Sequence, residues 1–180
     1  MEVYNKRNLM PKPVASQSEI DMLYARPYPV LKHRPQVFEG DAQALFDRVV
    51  THLFEQGQQS LDMSVSYTGC MYRNDQNLEC AIGTLITDED YCFDMERRSI
   101  ETLIRDYESL PSIAAIAKHK NLLESLQSAH DQDNWESPLL LDLKEHLQSI
   151  ARMFDLHTDV LNQQYDLFVD RVRTRLLNEE

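Results

Sequence analysis

Apolar residues recur at helical spacing on both sides of one stretch of this sequence, residues 66–91, and lose that spacing within it. A repeat of three and four residues places apolar side chains on one face of a helix. Helices with one apolar face bury it by packing against one another. The 180 residues therefore predict a mainly α-helical single domain of about five helices, with a central stretch of different structure.

The clearest helix is predicted for residues 41–56. Asp41 is suited to be its N-cap, and Gly57 is suited to end it in the left-handed conformation. His52 lies beside the apolar face of this helix, where a single histidine is typical of a core or boundary position.

Further helices are predicted toward the C-terminus. Ser99 is expected to cap one, which Pro111 ends, and another is expected from residue 113 to about 129. Residues 138–177 predict a helical hairpin. The last helix carries more apolar surface than one contact needs, which favours a homodimer or deeper burial in a monomer. The extra apolar residues are Val160, Leu167, Val169 and Leu177.

The central stretch is predicted to form a small β element. Residues 70–73 alternate like a short strand, residues 74–77 are turn formers, and residues 78–86 form one compact buried segment. Ala81 and Gly83 are small enough to let another backbone approach closely. The residues of this motif predicted to have a structural or functional role are Cys70, Tyr72, Arg73, Cys80 and Gly83.

This motif resembles that of a family of small, functionally uncharacterised phage and bacterial proteins. The shared features are Cys-x-Tyr-Arg from Cys70, Cys-Ala-Ile-Gly-x-Leu-Ile from Cys80, Asp-Glu-Asp-Tyr from Asp88, Met95-Glu96, and Leu-Gln-x-x-His-Asp from Leu126. The resemblance covers roughly residues 42–156. It implies a fold and a phage-like origin, and it supplies no activity.

The first 40 residues hold five of the seven prolines and are predicted to form an extended N-terminal arm with a short helix near residues 16–26. The arm is either a disordered tail, a segment that packs on its own domain, or one that binds another molecule. Its aromatic residues favour association because tyrosine and phenylalanine contribute binding energy at interfaces. The predicted binding residues are Tyr24, Tyr28 and Phe38.

The charge balance argues against two kinds of partner, nucleic acids and anionic membranes. A net charge of −12 repels nucleic acid phosphates and anionic membranes. The sequence has no membrane span or secretory leader, which predicts a cytoplasmic protein. Three cysteines in that compartment predict free thiols.

Two metal sites are alternatives. Cys70 and Cys80 could bind zinc with His52 or Cys92, but the sequence lacks the Cys-x-x-Cys pair typical of zinc sites. The better interpretation is that Cys70 and Cys80 are two buried thiols. His130 and Asp131, with other histidine and aspartate residues, resemble in outline the ligands of helical metal-dependent hydrolases. Those further candidates are His52, His119, Asp142, Asp155 and Asp159.

The acidic surplus allows a third interpretation, a DNA mimic, although the acids are spread among basic residues. The sequence has no phosphate-binding loop, nucleophile elbow or usable Ser/His/Asp set. We therefore predict a non-enzymatic, cofactor-free cytoplasmic interaction protein, most concretely a phage-type inhibitor of a host protein. A small hydrolase using His130 and Asp131 is the alternative.

Overall fold

The structure is a computed structural model that describes residues 36–61, 69–132, 135, 137 and 139–178. These residues form six α-helices, which confirms the predicted mainly helical single domain. The helices are α1 (Ala42–Gln56), α2 (Ile100–Tyr107), α3 (Pro111–Ala117), α4 (Lys120–Gln132), α5 (Leu141–Met153) and α6 (Asp159–Asn178), and two short 3₁₀ turns cover Gly83–Leu85 and Phe93–Met95.

Both predicted ends of α1 are confirmed. The Asp41 side chain accepts a hydrogen bond from the Ala44 amide at 2.9 Å. Gly57 is left-handed, with φ at 63°, and its amide donates to the Leu53 carbonyl. These caps satisfy backbone groups that the helix itself leaves unpaired.

Helix α1 lies at the centre of the domain and packs most extensively against α6. The ring of Phe54 lies 5.6 Å from that of Tyr165 and 5.9 Å from that of Phe168. The Arg171 guanidinium of α6 donates to the Phe54 carbonyl at 2.6 Å. Side chains fully buried on α1 are Leu45, Phe46, Val49, Val50, Leu53 and Phe54.

The single helix predicted for residues 113–129 is wrong, because the chain forms α3 and α4 with a break at Lys118 and His119. At the break, Lys118 Nζ donates to the Gly40 carbonyl at 3.1 Å, and the His119 ring lies 6.2 Å from Phe38. Contacts with the chain before α1 therefore coincide with the turn between α3 and α4.

Phe38 is only 5% exposed and belongs to the hydrophobic core. This corrects its prediction as a binding residue of the arm, because a side chain packed against His119 has little surface left to offer a partner. The helical domain consequently includes residues before the predicted boundary at residue 40. Tyr24 and Tyr28 lie outside the described residues.

The predicted C-terminal hairpin corresponds to α5 and α6. Helix α5 begins at Leu141, after Leu140 in the left-handed conformation with φ at 45°; Pro138, predicted to begin it, lies outside the described residues. On α6, Leu167 is exposed and Val169 is buried, and the homodimer stays a prediction. None of the described helices has the length and apolarity needed to cross a membrane.

Candidate functional site

The small β element consists of two isolated antiparallel bridges, Leu61 with Cys70 and Arg73 with Glu79. The strand predicted for residues 70–73 does not form: only isolated bridges occur at Cys70 and Arg73, and the chain then enters a tight turn closed by Asn74. Its side-chain oxygen accepts from the Leu78 amide at 2.9 Å, and its backbone amide donates to the Leu78 carbonyl. A side chain that bonds nearby backbone groups favours a turn over an extended ladder.

Gly83 allows the close backbone approach that the sequence predicts. A Cβ atom at this position would lie 1.8 Å from the Tyr72 carbonyl oxygen. The same oxygen accepts a hydrogen bond from the Cys80 amide at 3.1 Å. The backbone that approaches is therefore that of residues 70–73, which include one partner of each bridge and which we call the bridge region. Residues 80–87 around Gly83 are all buried, which confirms the compact segment.

Glu96 joins the bridge region to the loop before α2. Its carboxylate is buried and accepts from the amides of Tyr72 at 2.8 Å and Arg73 at 3.0 Å. It also accepts from the Tyr91 hydroxyl at 2.6 Å. The Tyr72 hydroxyl in turn donates to the Arg98 carbonyl. These bonds hold both the backbone and the side chain of Tyr72 against the loop before α2.

Arg73 is held by several neighbouring groups. Its guanidinium pairs with Asp88 at 2.6 Å and Glu79 at 3.4 Å, and it donates to the Ile86 carbonyl. The group also lies over the Tyr91 ring, 4.9 Å from its centre. These contacts tie Arg73 to the neighbouring segments of the motif.

Glu79 predicts a measurable pH dependence of stability. Burial raises the pKa of its carboxyl from 4.5 to about 7, and the nearby Arg73 opposes this rise. The folded state therefore keeps a proton that the unfolded state releases above pH 4.5. The stabilisation is fully present below that pH and is lost as the pH rises through about 7.

Replacing Glu79 with the uncharged Gln should remove this loss. As the pH rises from about 4 to about 8, the free energy of unfolding of the Glu79→Gln variant is expected to increase relative to that of the unmodified protein. The relative gain over this range is on the order of 2 kcal/mol. Urea unfolding at a series of pH values measures the difference. A constant difference across that range would contradict the raised pKa.

A cleft of about 620 Å³ opens beside Cys70. One wall comes from the bridge region and the turn before α2, and the other comes from the last turns of α4. Its polar lining includes Arg97, Ser99, Gln127, Asp131 and Gln132.

Cys70, His130 and Asp131 meet at one end of the cleft, with their ligand atoms all within 4.8 Å of one another. His130 Nδ1 lies 3.0 Å from the Asp131 carboxylate, and its Nε2 lies 3.5 Å from the Ser60 amide. His130 is completely buried, and α4 continues to Gln132, beyond the helix end predicted near residue 129.

The Trp135 indole packs against His130 and donates to its carbonyl at 2.9 Å. Both ring nitrogens of His130 already face partners, so the imidazole can bind another group only by giving up one of these contacts. Burial raises the pKa of the Cys70 thiol well above its usual range, and Asp131 raises it further. A neutral thiol is a poor nucleophile, so this cluster does not form an activated cysteine.

The structure separates the two predicted metal sets. Within the described residues, neither Cys80 nor Cys92 joins Cys70 in a group of potential ligands. His52 instead contacts the Glu79 carbonyl. The further ligands proposed for a hydrolase are also not gathered at His130: these are His119, Asp142, Asp155 and Asp159. All three cysteines are free thiols, as predicted.

Phe93 is the feature that the sequence did not single out. Its side chain is 72% exposed, although it begins a 3₁₀ turn in which Met95 is buried and which ends at the buried Glu96. The backbone of Asp94 is also held, because Arg98 Nε donates to its carbonyl at 2.6 Å. A phenylalanine held out from a fixed backbone suits an interface.

Aromatic and arginine side chains lie close to Phe93 in the chain and at the C-terminal end of α2. Tyr91 lies under Arg73, and Tyr107 lies under Arg98 with 5.4 Å between the guanidinium and the ring centre. We call this region the Phe93 surface. It consists of Tyr91, Cys92, Phe93, Arg98 and Tyr107.

The acidic clusters have partly structural roles. Asp88 pairs with Arg73, and the Asp90 carboxylate accepts from the Ser112 amide at 2.7 Å near the start of α3. The C-terminal acids, Glu179 and Glu180, lie outside the described residues. The DNA-mimic alternative stays a prediction.

No family model, curated protein or solved structure matches this chain. The resemblance to small phage and bacterial proteins therefore stays a prediction.

Proposed function

We propose that this protein is a non-enzymatic, cytoplasmic interaction factor, and in its most concrete form a phage-type inhibitor of a host protein. The observation that carries the proposal is Phe93, whose side chain is 72% exposed on a turn anchored by buried neighbours. Exposed aromatic side chains seated in a partner's pocket commonly dominate binding energy.

The fixed backbone lowers the cost of binding. The Glu96 amide donates to the Phe93 carbonyl at 3.0 Å, and the Met95 amide donates to the Cys92 carbonyl at 3.0 Å. Little conformational entropy is then lost when Phe93 enters a pocket, because its backbone is already ordered. Arg98 and Tyr107 would extend the contact with residue types enriched at binding hot spots.

Charge defines the kind of partner. Exposed acidic residues, Glu89 and Asp94, lie near Phe93 in the chain, and the whole protein has a net charge of −12. A complementary partner has an apolar pocket with a basic rim, since opposite potentials speed association and favour the correct pairing. Tyr24 and Tyr28 of the N-terminal arm are proposed to make a second contact.

Phe93→Ala is expected to weaken capture of the partner at least about tenfold, because truncating a hot-spot aromatic costs about 2 kcal/mol or more. Met153→Ala is the matched control, since Met153 is also 72% exposed but lies on α5. Quantitative pull-downs from host lysate with each tagged variant measure the effect, and melting temperatures check that both variants fold.

Equal recovery of the same protein by Phe93→Ala and Met153→Ala would overturn the assignment of the Phe93 surface. If turnover of a phosphoester substrate were found and lost in Asp131→Asn, the hydrolase would replace the proposed function.

A further inference from the structure

We propose that Cys70, His130 and Asp131 form a zinc-binding site with one coordination position open to the cleft. Cys70 and the His130-Asp131 pair belong to separate candidate sites in the sequence, and the fold brings them together. Their ligand atoms lie within 4.8 Å of one another. In a tetrahedral zinc site, ligand atoms lie about 3.4 to 3.7 Å apart. The Cys70 thiol therefore has to approach by up to about 1 Å, and His130 Nδ1 and the Asp131 carboxylate, which are 3.0 Å apart, have to separate slightly.

The ligand types suit zinc. Thiolate, imidazole and carboxylate together are a mixed sulfur, nitrogen and oxygen set, which zinc binds better than calcium or magnesium do. Three protein ligands leave a fourth position, which water from the cleft can fill, because both Cys70 and Asp131 line that cleft. The site lies at the end of α4 and is distinct from the Phe93 surface.

Neighbouring side chains already orient two of the three ligands. Gln59 Nε2 lies 3.1 Å from Cys70 Sγ and also donates to the His130 carbonyl at 2.7 Å. Gln127 Nε2 donates to the Asp131 carboxylate at 2.6 Å. Hydrogen bonds of this kind position ligands and tune metal affinity.

Proton balance gives the site a second signature. His130 Nδ1 faces the Asp131 carboxylate, so its ring proton lies where the metal would bind. On binding through Nδ1, that proton moves to Nε2, and the Cys70 thiol releases its proton to solvent. One proton is released per zinc ion. The new proton on Nε2 would then point at the N–H group of Ser60, which donates to Nε2 before the metal binds. The backbone at Ser60 must therefore move away.

Cobalt(II) titration of the full-length, reduced, metal-stripped protein tests the proposal. We expect one equivalent of Co²⁺ to give the visible bands of a tetrahedral ion and a near-ultraviolet thiolate charge-transfer band, both removed by Zn²⁺. Cys70→Ser should lose the charge-transfer band, and Asp131→Asn should weaken binding more than about tenfold. Cys92→Ser is the matched control, since Cys92 is exposed and outside the cluster.

The spectrum of the aqueous ion at equimolar Co²⁺ would overturn the site. So would a charge-transfer band that survives in Cys70→Ser, or one that disappears in Cys92→Ser. Asp131→Asn keeps the test decisive if Cys70→Ser does not fold, because the Asp131 side chain is 39% exposed and its replacement by an isosteric amide leaves the core intact. A failed titration leaves the Phe93 proposal untouched, because the two use different residues.

Discussion

Gly83→Ala is expected to lower the free energy of unfolding by about 3 kcal/mol or more, the upper part of the range for overpacking. The new Cβ would lie 1.8 Å from the Tyr72 carbonyl oxygen, which is backbone and has no rotamer to change. Relief requires the bridge region to move away from the segment around Gly83. That movement also breaks the hydrogen bond from the Cys80 amide to Tyr72.

Gly69→Ala is the matched control, because a Cβ at Gly69 has nothing within 4 Å. Urea unfolding followed by circular dichroism compares the two variants. The Gly69 variant should differ from the unmodified protein by less than about 1 kcal/mol. Equal stabilities for the two variants would show that the close approach at Gly83 does not exist.

Glu96→Ala has the second large expected effect. The substitution leaves the buried Tyr72 amide, and the half-buried Arg73 amide and Tyr91 hydroxyl, without their acceptor. Each unsatisfied buried group costs about 1 to 3 kcal/mol, so a total loss on the order of 3 to 5 kcal/mol is expected. Glu96→Gln should cost less, because one carbonyl oxygen remains as an acceptor.

Glu108→Ala provides the control for Glu96, since Glu108 is exposed just after α2. Its stability should stay within about 0.5 kcal/mol of that of the unmodified protein. Thermal and urea unfolding measure both variants. A Glu96→Ala protein as stable as the Glu108 variant would mean that water replaces the carboxylate and that Glu96 does not hold the bridge region in place.

Local signals in the sequence were sufficient for most helix ends, although they did not reveal the break between α3 and α4. Asp41, Gly57 and Ser99 act as caps within three or four residues of their own helix ends. Apolar spacing identified the buried face of α1. Such features depend on neighbouring residues in the chain, and their physical causes can therefore be found in a short window.

The site depends on contacts between distant residues, which a short window cannot show. Glu96 bonds to amides more than 20 residues earlier, and Asp90 bonds to an amide 22 residues later. The approach of Cys70 to His130 spans 60 residues. Phe93 was missed because an exposed phenylalanine has the same sequence signal as a buried one. Phe38 was misassigned because its neighbouring prolines indicated an arm.

Photo-crosslinking at position 93 tests the proposed interaction most directly. Phe93 is replaced by the photoreactive p-benzoylphenylalanine, which keeps an aromatic side chain there, and Met153 is replaced in the same way as the control. The proteins are irradiated in living host cells. We expect a discrete cross-link to one other protein from position 93 and none from position 153. No cross-link from position 93, or the same products from both positions, would contradict it.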